Sequence, residues 1–554
     1  MGNLRSGILN KERVEGILKK IICVLLGICI GVNVVFSCKI VQAKTEISLE
    51  KTNITMQVGS EVTLKIKGTD VEPQWSSNDE KIATVDKNGI VKAREVGTAQ
   101  IKAKVEQQEL TCTIKVKKKQ ICVLLKTTGF SGIFHQEITV SSNKDFTVTI
   151  GNTVQEYGAK KKVTISMNDE IFKTGDNLKI SAKNNGKVKI TSLKRSHGTP
   201  SYRGKIEVKL IDGKGLIVIN KLPLEQYLYS VVNSEMSYTF SEEALKAQAV
   251  CARSFAYGHL KSEQYKEYGA DLDDSSTFQV YNNAKEEDSV KKAVDDTKNI
   301  VLKDGKNIIN THYYSTSFGV SATPTEVWNA TAEEANYPRI IQTIGGEKAN
   351  LKSNKDFKEF IKDEELVTFD SASVWYRWNT QITKANMKKN MEEKLKIYSS
   401  DGSRVIKVLQ EDGSYKGKKV STIGSIKKIT VSKREKSGMV KVVKIVGSKD
   451  TIKVYDATII RYMFAPTKEV LNRKNGPSIE NMSILPSSFF YVEKEKNVNG
   501  EIVFSFAGGG YGHGVGMSQN GANEMAKQGY DFEKILKHYF KNISVIHVVD
   551  EDLG

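Results

Sequence analysis

Cysteine is scarce in this sequence, with six in 554 residues. Cys23, Cys29 and Cys38 fall in one apolar N-terminal stretch; Cys112, Cys122 and Cys251 remain, an odd set with neither disulfide nor metal spacing. That sets aside a disulfide framework. The three read as small buried residues, and the fold must stand on its apolar core, for which 39% hydrophobic content suffices. No GxSxG-like elbow occurs, which argues against a Ser–His–Asp hydrolase. The glycine-rich run Gly508–Gly516 has no GKS or GKT ending and does not read as a nucleotide loop. Nucleic-acid-binding motifs are missing too, although the net charge is +18.

What is present begins with an export-like leader. Arg5, Lys11, Arg13, Lys19 and Lys20 precede the apolar stretch Ile21–Phe36, and Val41–Gln42–Ala43 resembles a small-residue cleavage site. Residues 1–43 therefore read as a secretory signal peptide cut after Ala43. An uncleaved membrane anchor and lipidation at Cys38 remain the alternatives. On any of these readings the protein is exported, to the cell wall or the outer face of the cytoplasmic membrane. There a basic surface suits anionic wall polymers, peptidoglycan carboxylates or lipid head groups, whereas charge spread over solvated faces is the plainer account.

The length predicts two to four domains. Residues 45–118 alternate in short runs (Val62–Ile66, Ile82–Val85, Ile90–Ala93, Ala99–Val105, Thr111–Val116) separated by turn signals such as Asn88–Gly89. The stretch Gln74–Lys104 resembles bacterial Ig-like group 2 modules, which implies a small β-sandwich with Trp75 in its core. Residues 120–220 alternate again, as a β-rich lead-in to a core over 221–554, and the Lys-rich region around 380–470 reads as further sheet within that unit. The predicted class is α+β: a small Ig-like β-sandwich followed by a β-rich catalytic domain with inserted helices, over 120–554.

Leu222–Tyr257 is the most informative segment. It reads as two helices joined by a short break. Leu224, Leu228, Val231 and Glu235 recur at offsets of four, seven and eleven and so share one helical face. Glu235 then ends an apolar stripe, where desolvation favours the protonated form that a general acid requires. On the second helix Lys246 and Arg253 lie two turns apart, about 10 Å, and together could address one extended polar ligand. Spacing alone leaves open that these two are a solvated face and that Glu235 is a helix-end acid.

Leu222–Met236 and Glu243–Arg253 resemble the conserved core of the SpoIID/LytB (stage II sporulation protein D) family, whose pattern is roughly LPLE-x-YL-x-x-VV-x-x-EM followed by EALKAQA-x-x-AR. Further blocks agree in order: Phe278–Tyr281, the HYYSTSFG run His312–Gly319 with Glu326–Trp328 after it, Gly508–Ala522, and His538–Phe540. The resemblance implies a peptidoglycan lytic transglycosylase that cleaves the MurNAc–GlcNAc bond of glycan strands. It implies Glu235 as catalytic acid and base, with Lys246 and Arg253 as functional partners. One carboxyl suffices for such a reaction because the muramic C6 hydroxyl is the nucleophile, whereas ordinary glycosidases need two. Glu326 is a possible second acid whose surroundings argue only for a surface role.

Tyr314, Ser315, Thr316 and Ser317 supply hydroxyls suited to sugar recognition, although an alternating hydroxyl-rich strand looks the same. His513 sits in the glycine-rich block, either as a sugar contact or as a buried histidine holding a tight turn. Some sporulation D proteins carry zinc near a DLCDTTHCQVY-like segment. Here Asp271–Tyr281 reads DLDDSSTFQVY, with Asp273 and Phe278 in place of the cysteines and His259 alone nearby. No metal and no cofactor are expected. The LytB branch implies an alternative, a non-catalytic wall factor that modifies an N-acetylmuramoyl-L-alanine amidase; no nucleic acid is expected as a partner.

Overall fold

A computed structural model describes residues 46–548, apart from 58–59, 95–96, 118–119, 261, 282–283, 306, 332–333, 344–345 and 364. The expected leader 1–43, with Cys23, Cys29 and Cys38, lies outside the described residues. Strand exceeds helix, 36% against 22%, as the β-rich reading requires.

In the first part a four-stranded sheet (Asn53–Gln57, Gln108–Lys117, Gly97–Val105, Gln74–Ser77) and a three-stranded sheet (Glu61–Thr63, Ile90–Ala93, Ala83–Val85) feed one apolar cluster. Period-two alternation drives this. In Gly97–Val105 the residues Ala99, Ile101, Ala103 and Val105 are buried, while Thr98, Gln100 and Lys104 face solvent. Trp75 packs against the cluster and closes over Gly89, where φ is +77° and a Cβ would come within 2.9 Å of the indole. Cys112 is buried in this cluster and Cys251 in the next, both unpaired.

The lead-in forms a seven-stranded sheet in the order Thr153–Tyr157, Phe146–Ile150, Leu178–Ala182, Lys205–Ile211, Gly215–Pro223, Gln120–Leu124, Leu272–Asp273. Gly215–Pro223 is buried on both faces, because Leu216, Val218 and Leu222 join the main core while Ile217 and Ile219 join a smaller one. This strand runs directly into helix α1 (Leu224–Glu235), so the sheet fixes where α1 starts. Helix α2 (Glu242–His259) is buried nearly all round, from Ala244 to Tyr257 with Lys246 as the gap, and is the central helix of the main core. Helix α3 (Asp288–Asp296) packs on both.

Residues from Trp378 to Phe506 build a second core, with two five-stranded sheets and the helices Lys384–Tyr398 and Ala457–Met463. The strand Ile502–Gly508 then returns the chain to the main core, through the glycine-rich run.

Candidate active site

α1 ends at Glu235 because Met236 turns extended and its N–H closes onto the Val232 carbonyl. Leu224, Leu228 and Val231 bury the face on which Glu235 also lies. The carboxyl therefore lands in a small cavity of about 150 Å³, lined also by Phe255, Ser276, Phe278, Val280, Thr311, His312, Tyr313 and His513. Burial pushes its pKa up to about 7, against one hydrogen bond at 2.7 Å from the Val280 N–H, which favours the charged form. Among the described residues no second carboxylate lines this cavity.

Its two histidines are neutral at pH 7. Burial lowers His312 to about 4, with His259 adding, and lowers His513 to about 3, with His312 and Arg461 adding. His513 Nδ1 accepts from the Val515 N–H at 3.1 Å, which leaves Nε2 to carry the proton. Tyr313 is fixed from below: Gln279 Nε2 donates to its hydroxyl at 3.0 Å and to the Ala252 carbonyl at 3.1 Å.

The glycines explain how His513 gets there. Gly512, Gly514 and Gly516 have φ of +116°, +82° and +78°, and a Cβ would meet Tyr314 at Gly512, the Phe489 ring at Gly514 and the His312 carbonyl at Gly516. Only a chain without side chains at these points lies flat on the His312–Tyr314 backbone.

Trp328 lies at the rim, 44% exposed, with its ring 4.7 Å from His312 and 5.0 Å from His513. It ends the short helix Pro324–Trp328, whose start is held by a capping box between Thr323 and Glu326. Glu326, the possible second acid of the sequence reading, also accepts from Arg339 at 3.2 Å and from the Ser437 N–H at 3.0 Å. It braces the helix that carries Trp328.

The structure corrects the substrate-facing set in three places. Arg253 is fully buried, paired with Glu225 at 2.9 and 2.7 Å and donating to the carbonyls of Val294 and Ile300. It ties α1, α3 and the strand Ile300–Asp304 together and does not reach the cavity. Lys246 turns to Glu242, Glu243 and Asp296 at 2.8, 2.9 and 3.5 Å, a cluster between α2 and α3. Tyr314, Ser315, Thr316 and Ser317 face a different network. Asp370 accepts from the Ser317 N–H at 2.9 Å and from the Ser518 hydroxyl at 2.5 Å, while Asn520 donates to the Ser315 carbonyl and the Thr316 hydroxyl. Along the two-residue strand Tyr313–Tyr314 adjacent side chains point to opposite faces, which separates Tyr314 from Tyr313. Tyr313 and His312 line the cavity, and Tyr314 reaches only His513, at 5.6 Å between rings. The sequence reading missed His312, Tyr313, Val280 and Trp328, although all four sit within or beside the motif blocks.

In Asp271–Tyr281 hydrogen bonds do the ordering. Asp273 accepts from the Ser275 N–H at 2.8 Å, the Ser275 hydroxyl at 2.6 Å and the Tyr265 hydroxyl at 2.8 Å, while Asp274 pairs with Arg195. His259 bonds the Phe255 carbonyl and meets Phe278 edge-on at 5.3 Å. Among the described residues no group of three or more His, Cys, Asp or Glu side chains converges as metal ligands.

The stage II sporulation protein family model matches residues 212–303, the stretch that contains α1, α2, α3 and Glu235. The chain carries a SpoIID domain. A bacterial Ig-like domain (group 2) precedes it at 43–116, and a domain of unknown function (DUF8618) covers 398–516. The chain is 27% identical over 321 residues to the amidase enhancer of Bacillus subtilis, covering 56% of this chain and 39% of that protein. It is 27% identical over 342 residues to stage II sporulation protein D of the same organism, covering 59% and 75%. An S-layer protein structure, rSbsC(31-844), overlaps 26% of this chain and 23% of its own at a TM-score of 0.12 and 13% identity, too slight to bear on the fold.

Proposed function

We propose that this protein is an exported lytic transglycosylase of peptidoglycan, with Glu235 as its single acid and base. The observation that carries the reading is a carboxyl with pKa about 7 in a cavity that holds neutral imidazoles and, among the described residues, no second carboxylate. Protonated Glu235 gives its proton to the bridging oxygen as the C1–O bond of the muramic residue breaks. The muramic C6 hydroxyl then attacks C1 and returns its proton to the Glu235 carboxylate, closing a 1,6-anhydro ring. No water is consumed, so no base is needed to activate one. Trp328 offers an aromatic face at the rim on which a sugar ring would stack.

Wild type and Glu235→Gln protein, incubated with intact and with stem-peptide-stripped glycan, test this by mass spectrometry of the products. Anhydromuramyl ends from wild type alone are expected. Their absence with both proteins, on both substrates, overturns the reading. The match to an amidase enhancer favours a second reading, a wall factor that acts through an N-acetylmuramoyl-L-alanine amidase. It gains if wild type yields product only when an amidase is added and Glu235→Gln does the same.

A further inference from the structure

The second core has one sheet face that nothing above uses. Its sheet runs in the order Tyr415–Lys416, Ile406–Leu409, Thr451–Val454, Val440–Val446, Lys428–Arg434. Ile406, Val408, Ile452, Val454, Val443 and Ile445 face the core. Alternation places Lys407, Lys453 and Lys444 on the other face, all partly exposed. The register makes them a row: Lys407 is opposite Lys453, Lys453 is opposite Lys444, and Lys444 is opposite Thr430. Neighbouring strands are about 4.8 Å apart, so the three lysine side chains start along one line roughly 10 Å long.

Like charges directly opposite one another destabilise a sheet. Yet among the described residues no carboxylate forms an ion pair with any of the three; of the acids in the flanking turns, Asp412 and Glu435 pair with Lys416 and Lys433, and Asp456 caps the helix Ala457–Met463. Two of the ammonium groups lie over tyrosine rings, Lys453 at 4.2 Å from Tyr415 and Lys407 at 5.2 Å from Tyr455. The rings hold these two ammonium groups in place without neutralising their charge. A row of this kind gains its counter-charge from outside.

We propose that this face docks a phosphodiester-linked anionic polymer of the cell wall. Its role at the wall rests on the function proposed above; the charge complementarity does not. A line of cations at fixed strand spacing suits a flexible chain with regularly repeated negative groups. Single-stranded nucleic acid fits less well, because the lysines occupy the tyrosine faces on which bases would stack. A lipid surface fits less well too, since Leu409 is the one large apolar side chain of this sheet with marked exposure, at 38%. The face belongs to the segment matched only as a domain of unknown function.

The test uses the purified chain and sedimentation with wall sacculi, native or stripped of phosphodiester polymer by acid. Wild type is expected to bind native sacculi in a salt-sensitive way and to lose that binding on stripped ones. A triple Lys407→Gln, Lys444→Gln, Lys453→Gln variant is expected to bind roughly tenfold or more weakly. The corresponding triple Lys→Arg variant should bind like wild type, and so should a charge-matched control with Gln at Lys87, Lys104 and Lys115, exposed positions of the Ig-like domain. Equal loss in the control and row variants overturns the proposal, as does binding that survives stripping. Row-dependent binding to anionic phospholipid vesicles but not to native sacculi also overturns it, in favour of a membrane. Cleavage of soluble stripped glycan by the Gln row variant is expected unchanged. Because Glu235→Gln is scored on that soluble substrate, failure of the cleavage reading and failure of docking give separate results.

Discussion

Half-buried Glu235 and fully buried Asp370 both carry carboxyls whose pKa burial raises to about 7, yet the structure sets them in opposite surroundings. Glu235 opens into the cavity and holds one backbone N–H. Asp370 has no exposed surface and bonds Ser317 and Ser518, so it fastens the HYYSTSFG run to the glycine-rich block. A raised pKa therefore does not single out the reacting group. Access separates the two: the same desolvation leaves one carboxyl open to a ligand, as the proposed proton donor must be, and makes the other an internal knot.

The sharpest break in this comparison is Glu235→Gln. It should lower glycan cleavage by roughly 10³-fold, within the range for loss of a general acid, while the circular dichroism spectrum is kept. Asp370→Ala should do the reverse, costing about 3 kcal/mol in denaturant unfolding because two buried donors lose their acceptor. At a temperature where the variant is still folded, its cleavage rate per folded molecule should stay within a few-fold of wild type. A large loss of rate with unchanged stability would move Asp370 into the reaction.

Acidity sharpens the pair further. Both folded pKa values lie above their ordinary values of 4.5 and 3.8. The stability that each carboxyl contributes is thus fully present below its ordinary value and is lost as pH rises through about 7. The two carboxyls' share is lost between about pH 4 and 7, while the lowered pKa values of His312 and His513 make stability rise over the same range. The Glu235 share is therefore read as the difference between wild type and Glu235→Gln. Glu235→Gln should remove about 2 kcal/mol of that loss, allowing for solvent in the cavity, and so be more stable than wild type at pH 8. Cleavage by wild type should fall about tenfold per pH unit above 7, as the acid form is depleted. A melting temperature of Glu235→Gln below that of wild type at pH 8 would contradict the assigned shift.

The placement of Glu235 was legible because helical periodicity is local: Leu224, Leu228 and Val231 bury one stripe, and its end is readable without the rest of the chain. Ig-like alternation was legible for the same reason. Arg253 was misread because helical spacing says which residues share a face but not what covers that face; Glu225, 28 residues earlier, covers it. The hydroxyl run was misread because the cavity takes His312 and Tyr313, while Ser315, Thr316 and Ser317 are held by Asp370 and Asn520, contacts that leave no local signal. The second core around Trp378–Phe506 was read only as extra sheet, because pairings such as Trp378 with Gly508 span 130 residues and leave no local signal.

Trp328 gives the smallest effect and the most specific one. Its ring is exposed beside two neutral imidazoles, and its helix is braced by Thr323, Glu326 and Arg339, so the ring is held in place without being buried. A side chain of this kind adds little to stability, and Trp328→Ala should change unfolding by under about 1 kcal/mol. If the ring stacks on a sugar next to the one that reacts, its loss weakens ground state and transition state alike. KM for stripped glycan should then rise about tenfold with kcat nearly unchanged, and Trp328→Phe should restore most of the loss. Quenching of tryptophan fluorescence by glycan fragments, present in Glu235→Gln and reduced in the double variant with Trp328→Phe, would tie the effect to contact. A fall in kcat at constant KM would instead mean that Trp328 sets the position of His312 and His513, and that the rim is part of the reacting centre.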